Sequence, residues 1–326
     1  MKAAVLHTPG LAPVFGDHPA PRSGEGMTVV RVTAAPVVPL DLLCASGTSY
    51  FGVPRTPYVP GGQGVGTVES SAAFEPGSRV WFFTAAGMEP GDGSLAELCA
   101  VQDDDVVPIA ADVTDPLAAA LGLSGVAGWM ALTWRAGLAA GERVLVLGGG
   151  GAVGQAAIGI ARALGAAKVV ALARRQSVPR AEAAGADLVV PLDTTDVDAL
   201  ATSLAVHGPY DVILDPVFGT PATAAARELA AGGRLVNLGG AAGDTAEFSS
   251  ASLRSKAAAV LGYTNNALSA EQRRDAVGSV LEHAAAGRIR VAFEECRLSD
   301  VESTWSRVAA GTAGARCVLV PRAGRT

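Results

Sequence analysis

Apolar and polar positions follow two different rhythms along the chain. In the first hundred residues, short apolar stretches stand between clusters of proline and glycine, notably at 57–66 and 87–93. Met27 to Ala34 (MTVVRVTA), Gly64 to Glu69 and Arg79 to Phe83 are examples. Short β-rich runs between turn residues predict an irregular all-β unit. The rhythm changes at Thr114–Asp115–Pro116, where a capping residue precedes a proline suited to a first helical turn. From Arg143 onward apolar strands alternate with helical segments. RVLVLG (143–148) leads through a glycine run into a helix over about 153–164, and KVVALA (168–173), DLVVPL (187–192), DVILD (211–215) and RLVNL (234–238) follow as strands. Continuous apolar strands separated by helices predict βαβ units and a doubly wound parallel sheet. An amphipathic helix is expected over 270–286, and the tail closes in the strand-like CVLVP (317–321).

Length changes this picture little. The chain has 326 residues, room for about two domains of roughly 150 each. With 49% hydrophobic and 17% charged residues, a disordered chain is excluded. The balance of 25 basic against 31 acidic residues gives a net charge of −6, which argues against a nucleic-acid partner. Cysteines stand at 44, 99, 296 and 317, with no CxxC pair and no histidine at zinc-finger spacing. They predict small buried side chains in a reducing compartment. The opening MKAAVLHTPGLAP lacks the apolar core of a signal peptide. The apolar run 118–134 is interrupted by Gly122, Ser124, Gly125 and Gly128, and fits a packed core segment better than a membrane span. A cytoplasmic protein with no membrane partner is expected.

The strongest chemical signal is Gly149-Gly150-Gly151-Ala152-Val153-Gly154, a GxGxxG between a strand and a helix. Two of its glycines allow a tight turn and close approach of the backbone to a pyrophosphate, and the third lets helix pack on strand. Amides at the helix N-terminus then face the phosphate charge. The end of the second strand bears on which dinucleotide binds. An NAD site usually carries an acidic residue there for the ribose hydroxyl. This strand ends in Ala173, followed by Arg174 and Arg175. Two guanidinium groups and no carboxylate favour NADPH, although a solvated pair at a strand end reads the same way. Arg180 is a lesser candidate for the same phosphate. Asp215, Gly239 and Gly240 end parallel strands on the carboxyl side, where such sheets bind ligands, and are expected to line the cofactor.

Taken in order, several segments make the chain resemble the medium-chain dehydrogenase/reductase superfamily, in its zinc-free quinone oxidoreductase branch. They are MKAAVL, PYVPGGQGVGTVE (57–69), GERVLVLGGGGAVG (141–154), AGADLVV (184–190), DVILDPVFG (211–219), AAGGRLVNLGG (230–240) and GARCVLVP (314–321). The resemblance covers essentially the whole chain. It implies a GroES-like catalytic domain from 1–117 and 266–326, a Rossmann domain from 118–265, a substrate cleft between them and a homodimer. The zinc ligands of the related alcohol dehydrogenases would fall at Val38, in the Gly61-Gly62-Gln63 segment and near Leu123, and none of Val, Gly and Leu can ligate zinc through a side chain. No metal is therefore expected.

Without a Lewis acid, catalysis would rest on hydride positioning and on donors to a developing oxyanion. Tyr50 matches a tyrosine that relatives place at the substrate mouth; its phenol could donate a proton, or could simply sit at a loop edge. Asp41 matches the family's cleft aspartate and could orient a neighbour or the ribose, or could be a buried carboxylate accepting backbone amides. Val38, where relatives carry Asn, Gln63, where they carry Glu or Asp, Trp129 and Asn265 are the expected pocket residues. Trp129 reads more readily as core packing, and Asn265 also reads as a turn former. The expected function is NADPH-dependent reduction of a quinone or α,β-unsaturated carbonyl, a small-molecule substrate. The alternatives are a zinc-free ketone, imine or enoyl-thioester reductase, and a dinucleotide-binding sensor or structural protein without turnover.

Overall fold

The computed structural model describes residues 1–321 and divides the chain into two compact units. Unit 1 begins with the antiparallel pair β1 (Lys2–Val5) and β2 (Val14–Asp17). It continues through β3 (Met27–Pro36), α1 (Pro39–Ser46), β4 (Gln63–Ser70), β5 (Arg79–Phe83), β6 (Leu98–Gln102) and β7 (Val106–Pro108). The chain then enters α2 (Asp115–Met130), whose regular geometry breaks at Gly122, the last residue of this stretch of unit 1. The helix starts where the capping argument puts it, with the Leu117 amide donating to the Thr114 hydroxyl at 3.4 Å. By length and composition, the Asp115–Arg135 segment could cross a membrane; 78% of its apolar window is buried within the protein, as in a core helix.

Unit 2 runs from Leu123 to Ala292. Its elements alternate: β8 (Arg143–Leu147), α3 (Ala152–Ala163), β9 (Lys168–Ala173), α4 (Val178–Ala183), β10 (Leu188–Pro191), α5 (Val197–Ala205), β11 (Tyr210–Asp215), α6 (Gly219–Ala226), β12 (Leu229–Asn237), α7 (Ser250–Lys256), β13 (Ala259–Gly262) and α8 (Ala270–Ala285). The six strands form one fully parallel sheet in the order β10-β9-β8-β11-β12-β13. Val144 to Leu147 and Val212 to Leu214 are fully buried, which is why these strands read as unbroken apolar runs rather than alternating ones. β12 starts earlier than expected, at Leu229, because the register shift opposite Tyr210–Val212 accommodates its glycine pair.

The chain returns to unit 1 with β14 (Phe293–Arg297), α9 (Val301–Ala309) and β15 (Arg316–Val320). Unit 1's larger sheet runs β14-β15-β3-β4-β5-β7, with β6 also paired to β3. Leu298, Val301, Trp305 and Leu319 of the returning segment share one buried cluster with Leu6, Val30, Val59 and Phe82. The return comes at residue 293, later than the expected 266, because α8 packs inside unit 2. A methyl group on Gly125 would lie 2.7 Å from Val280 of α8, and one on Gly159 would lie 2.7 Å from the Arg288 carbonyl. Residues 322–326, the end of the expected return, lie outside the described residues.

Candidate active site

In unit 2 the fingerprint lies at the carboxyl end of β8, and each glycine answers to a different neighbour. A Cβ on Gly149 would stand 2.7 Å from that of Ala171 in β9, and one on Gly154 would stand 2.7 Å from the Gly149 Cα. These two positions accept no side chain because strand, turn and helix touch there. Gly151, the residue before α3, is exposed, and a Cβ on it would meet only the Gly148 carbonyl at 3.4 Å. Its open face, beside half-buried Ala152 and Val153, is where a ligand's phosphates can approach the first amides of α3.

Two neighbouring strand ends close around this loop. A Cβ on Gly148 would meet the Val217 side chain at 2.8 Å, and one on Gly239 would lie 2.7 Å from the Pro216 carbonyl. Asp215, fully buried at the end of β11, accepts the Val217 and Phe218 amides at 3.0 and 2.7 Å and the Asn237 side-chain amide at 3.2 Å. Burial pushes its carboxyl up, and these three donors oppose that push. Asp215 therefore shapes the 216–218 turn. Asn237 ties this turn to the next strand end by also donating to the Gly239 carbonyl at 2.8 Å. Phe218 holds φ 56°, ψ −153°, a left-handed conformation rare for an aromatic residue.

The three arginines after β9 differ in their surroundings. Arg174 is exposed. Arg175 is ion-paired with Asp193 across the surface. Arg180, on α4, donates to the Gly150 carbonyl at 3.1 Å and to the Ser177 hydroxyl at 2.7 Å. The cation that touches the fingerprint loop is thus the one sequence reasoning ranked lowest. The Gly150 carbonyl also accepts from Gln155 at 3.0 Å, so the loop's back face is pinned twice. Elsewhere in unit 2, half-buried Trp129 packs on His283, with ring centroids 5.5 Å apart. Asn265 accepts the Tyr263 hydroxyl at 2.6 Å and donates to the Leu123 carbonyl at 3.2 Å, just past the break in α2.

In unit 1 the structure brings Val38, Asp41 and the 61–63 turn together. Asp41 is buried; one carboxylate oxygen accepts the Val38 amide at 2.8 Å and the other accepts the Gly62 amide at 2.9 Å. Burial raises its pKa to about 6, against the pull of those two amides and of Arg316. Both oxygens are engaged in holding the start of α1 to the turn, which makes Asp41 a positioning residue. Gln63 is fully buried and accepts from the Trp81 indole at 3.1 Å, and its side chain fills the space a Cβ on Gly122 would need. Tyr50 stands outside this cluster. It is 80% exposed on a turn, its ring 4.2 Å from that of Phe51.

Sequence reasoning missed Asn237, Trp81 and the placing of Arg180. A polar residue ending an apolar strand (Asn237) and an arginine three residues past a serine (Arg180) were the available signals, and neither is specific without the fold.

A doubly wound parallel sheet with a glycine loop at its switch point, joined to a β-rich unit, defines a two-domain dinucleotide-type oxidoreductase architecture. The family models agree. "Alcohol dehydrogenase GroES-like domain" matches residues 24–111 and "Zinc-binding dehydrogenase" matches residues 152–282. The rat quinone oxidoreductase is 30% identical over 227 residues, 68% of this chain; that stretch spans 66% of the rat protein, just under two thirds. The crystal structure of a probable oxidoreductase from Mycobacterium abscessus is 30% identical, covers 98% of this chain and 99% of its own, and has a TM-score of 0.80. A mycobacterial protein solved in complex with NADPH shares the fold at 23% identity and TM-score 0.85, over 98% of this chain and 100% of its own. The chain belongs to the medium-chain dehydrogenase/reductase superfamily, in its quinone oxidoreductase-like branch. At the positions where the resemblance puts the zinc ligands of the alcohol dehydrogenases stand Val38, Gly62 and Leu123, whose side chains carry no donor atom, and both oxygens of the neighbouring Asp41 are taken by backbone amides.

Proposed function

We propose that this chain is a zinc-independent, NADPH-dependent reductase of quinones or α,β-unsaturated carbonyl compounds. The observation that carries the reading is the glycine loop whose one open face, at Gly151, meets the start of α3, followed by a strand end with arginines and no carboxylate. Gly151, Ala152 and Val153 would hold the pyrophosphate, Gly239 and Gly240 would line the cofactor, and Arg174 with Arg180 would face the 2′-phosphate. Bound NADPH supplies a hydride. Zinc independence is supported by the absence of donor side chains at positions 38, 62 and 123. Tyr50 is the proton donor in this reading, free to meet a substrate because its phenol is exposed. Asp41 keeps the turn before Gln63 in place. The NADPH complex of the mycobacterial relative and the quinone oxidoreductase name of the rat relative support the cofactor and substrate class. A cytoplasmic homodimer pairing through β13, one of the two edge strands of the parallel sheet, completes the proposal.

Titration with NADPH and NADH, followed by nicotinamide fluorescence, tests it. Preferential NADPH binding is expected, with turnover on adding a quinone or an enone. In the Arg174→Ala/Arg180→Ala variant NADPH affinity should fall tenfold or more, since each charge-assisted hydrogen bond contributes about 1.5–3 kcal/mol. Equal loss for NADH would show that the arginines do not read the phosphate. Binding without turnover on any conjugated carbonyl would replace the reductase with a dinucleotide sensor.

A further inference from the structure

The returning segment of unit 1 carries a side-chain cluster that plays no part in the reading above. β14 and β15 run parallel, with Glu294 opposite Cys317 and Cys296 opposite Leu319. Alternate residues of a strand share a face, so Glu294 and Cys296 project together while Cys317 stands beside Glu294 on the next strand. A carboxylate oxygen of Glu294 and the two sulfurs all lie within 4.8 Å of one another. Cys317 is buried, whereas Glu294 and Cys296 are half-buried. The cluster is closed on one side and open to water on the other.

We infer that Glu294, Cys296 and Cys317 form a binding site for a divalent cation of borderline softness, of which zinc is the type, clamping β14 to β15. Two thiolates, a carboxylate and a water make a tetrahedral donor set of the kind zinc takes. Metal–sulfur and metal–oxygen bonds of about 2.3 and 2.1 Å put tetrahedral donors roughly 3.5 Å apart. The Cys317–Glu294 pair, at 3.0 Å, is already within that reach, and no spacing in the cluster exceeds 4.8 Å, so closure asks for a shift of at most about 1 Å that the two half-buried side chains can supply. Charge also balances. Three anionic donors and a divalent cation leave one negative charge, and the Arg307 guanidinium of α9, already ion-paired with Glu294, neutralises it. Without an ion, the Cys317 thiol donates to the Glu294 carboxylate at 3.0 Å, and burial and that carboxylate push its pKa up to about 12. Cysteine ligates as the thiolate, so binding releases protons and affinity rises with pH. No electron is transferred; two S–H bonds are exchanged for two metal–sulfur bonds and two protons leave to solvent.

Titration of the full-length, metal-free protein with Co²⁺ alone tests this through thiolate-to-metal charge-transfer absorption and proton release. One equivalent of Co²⁺, two protons released, displacement by Zn²⁺ and a raised Tm with Zn²⁺ are expected. Cys296→Ser and Glu294→Gln sit at half-buried positions and leave the packing of β15 intact. Each should weaken Co²⁺ binding by more than the roughly 10–100-fold typical of losing a mere outer-shell partner. Cys99→Ser should leave binding unchanged. No charge-transfer band in the parent protein, or a Cys296→Ser variant that binds Co²⁺ as tightly and with the same band intensity as the parent, overturns the site; Cys296→Ser decides this even where Cys317→Ser fails to fold.

Discussion

The candidate region of unit 2 is built from backbone, and that of unit 1 from side chains. Around β8 the chain exposes amides by omitting side chains, and Gly149 and Gly154 are where any Cβ would collide with neighbouring strand or turn atoms. Around α1 the same kind of turn is held by a carboxylate, Asp41, reaching two amides. Asp215 does for the 216–218 turn what Asp41 does for the 61–63 turn, so one device appears in both units. The difference teaches where specificity resides. A backbone cradle suits the phosphates common to many dinucleotides, while in the proposed function selection of a substrate falls to side chains such as Tyr50.

Separating Gly154 from Gly151 should break the comparison hardest. Gly154→Val forces side-chain atoms into the Gly149 backbone; overpacking of this kind costs about 1–3 kcal/mol or more, and dinucleotide binding should vanish with a drop in Tm. Gly151→Ala should melt like the parent, since its Cβ has room, yet bind NADPH at least ten times more weakly; parent-like binding would show that the ligand does not approach there. Next come the aspartates. Asp41→Ala and Asp215→Ala each strand two backbone donors, at about 1–3 kcal/mol for each buried group left unsatisfied, readable by denaturant titration.

Asp41 sharpens the contrast further through pH. Its folded pKa of about 6 lies above the ordinary 3.8, so its stabilising contribution is present below pH 3.8 and is lost as pH rises through 6. The difference is worth roughly 3 kcal/mol. Stability of the parent should fall across pH 4–6.5 relative to Asp41→Asn; parallel pH profiles would refute the assignment. The smallest effect is expected at Arg175. Its ion pair with Asp193 is on the surface, so Arg175→Ala should change stability by under about 1 kcal/mol and NADPH affinity less than Arg174→Ala does.

The parts legible in the sequence are those fixed by local rules. β5 and β9 run over Arg79–Phe83 and Lys168–Ala173, the stretches read from their apolar runs, and α3 starts one residue before its expected position. Strand ends punctuated by glycine or charge carry their own boundaries. The return to unit 1 does not, because α8 is amphipathic in either unit and only its partner, Val280 against Gly125, decides the matter. Arg180 was weighed below Arg174 and Arg175 because proximity in sequence stood in for proximity in space. α4 turns it back toward Gly150, and no local pattern encodes that contact. An orienting role for Asp41 and a role as a buried acceptor of backbone amides look the same in sequence, because its amide partner at Gly62 lies 21 residues away.

Unit 2 lies as an insertion within the sequence of unit 1, and this sets an order of events during synthesis. All of unit 2 has been synthesised before β14, α9 and β15 exist. Until then β3 lacks its neighbour at Ala35 and Pro36, which pair with Val318 and Leu319, and a tie such as Arg316 to the Val37 carbonyl spans 279 positions. The nascent first unit thus waits with an open sheet edge and an unfilled core, the condition under which edge-to-edge association competes with folding. A ribosome pausing near residue 290 would prolong that exposure, and β14, α9 and β15 are what end it.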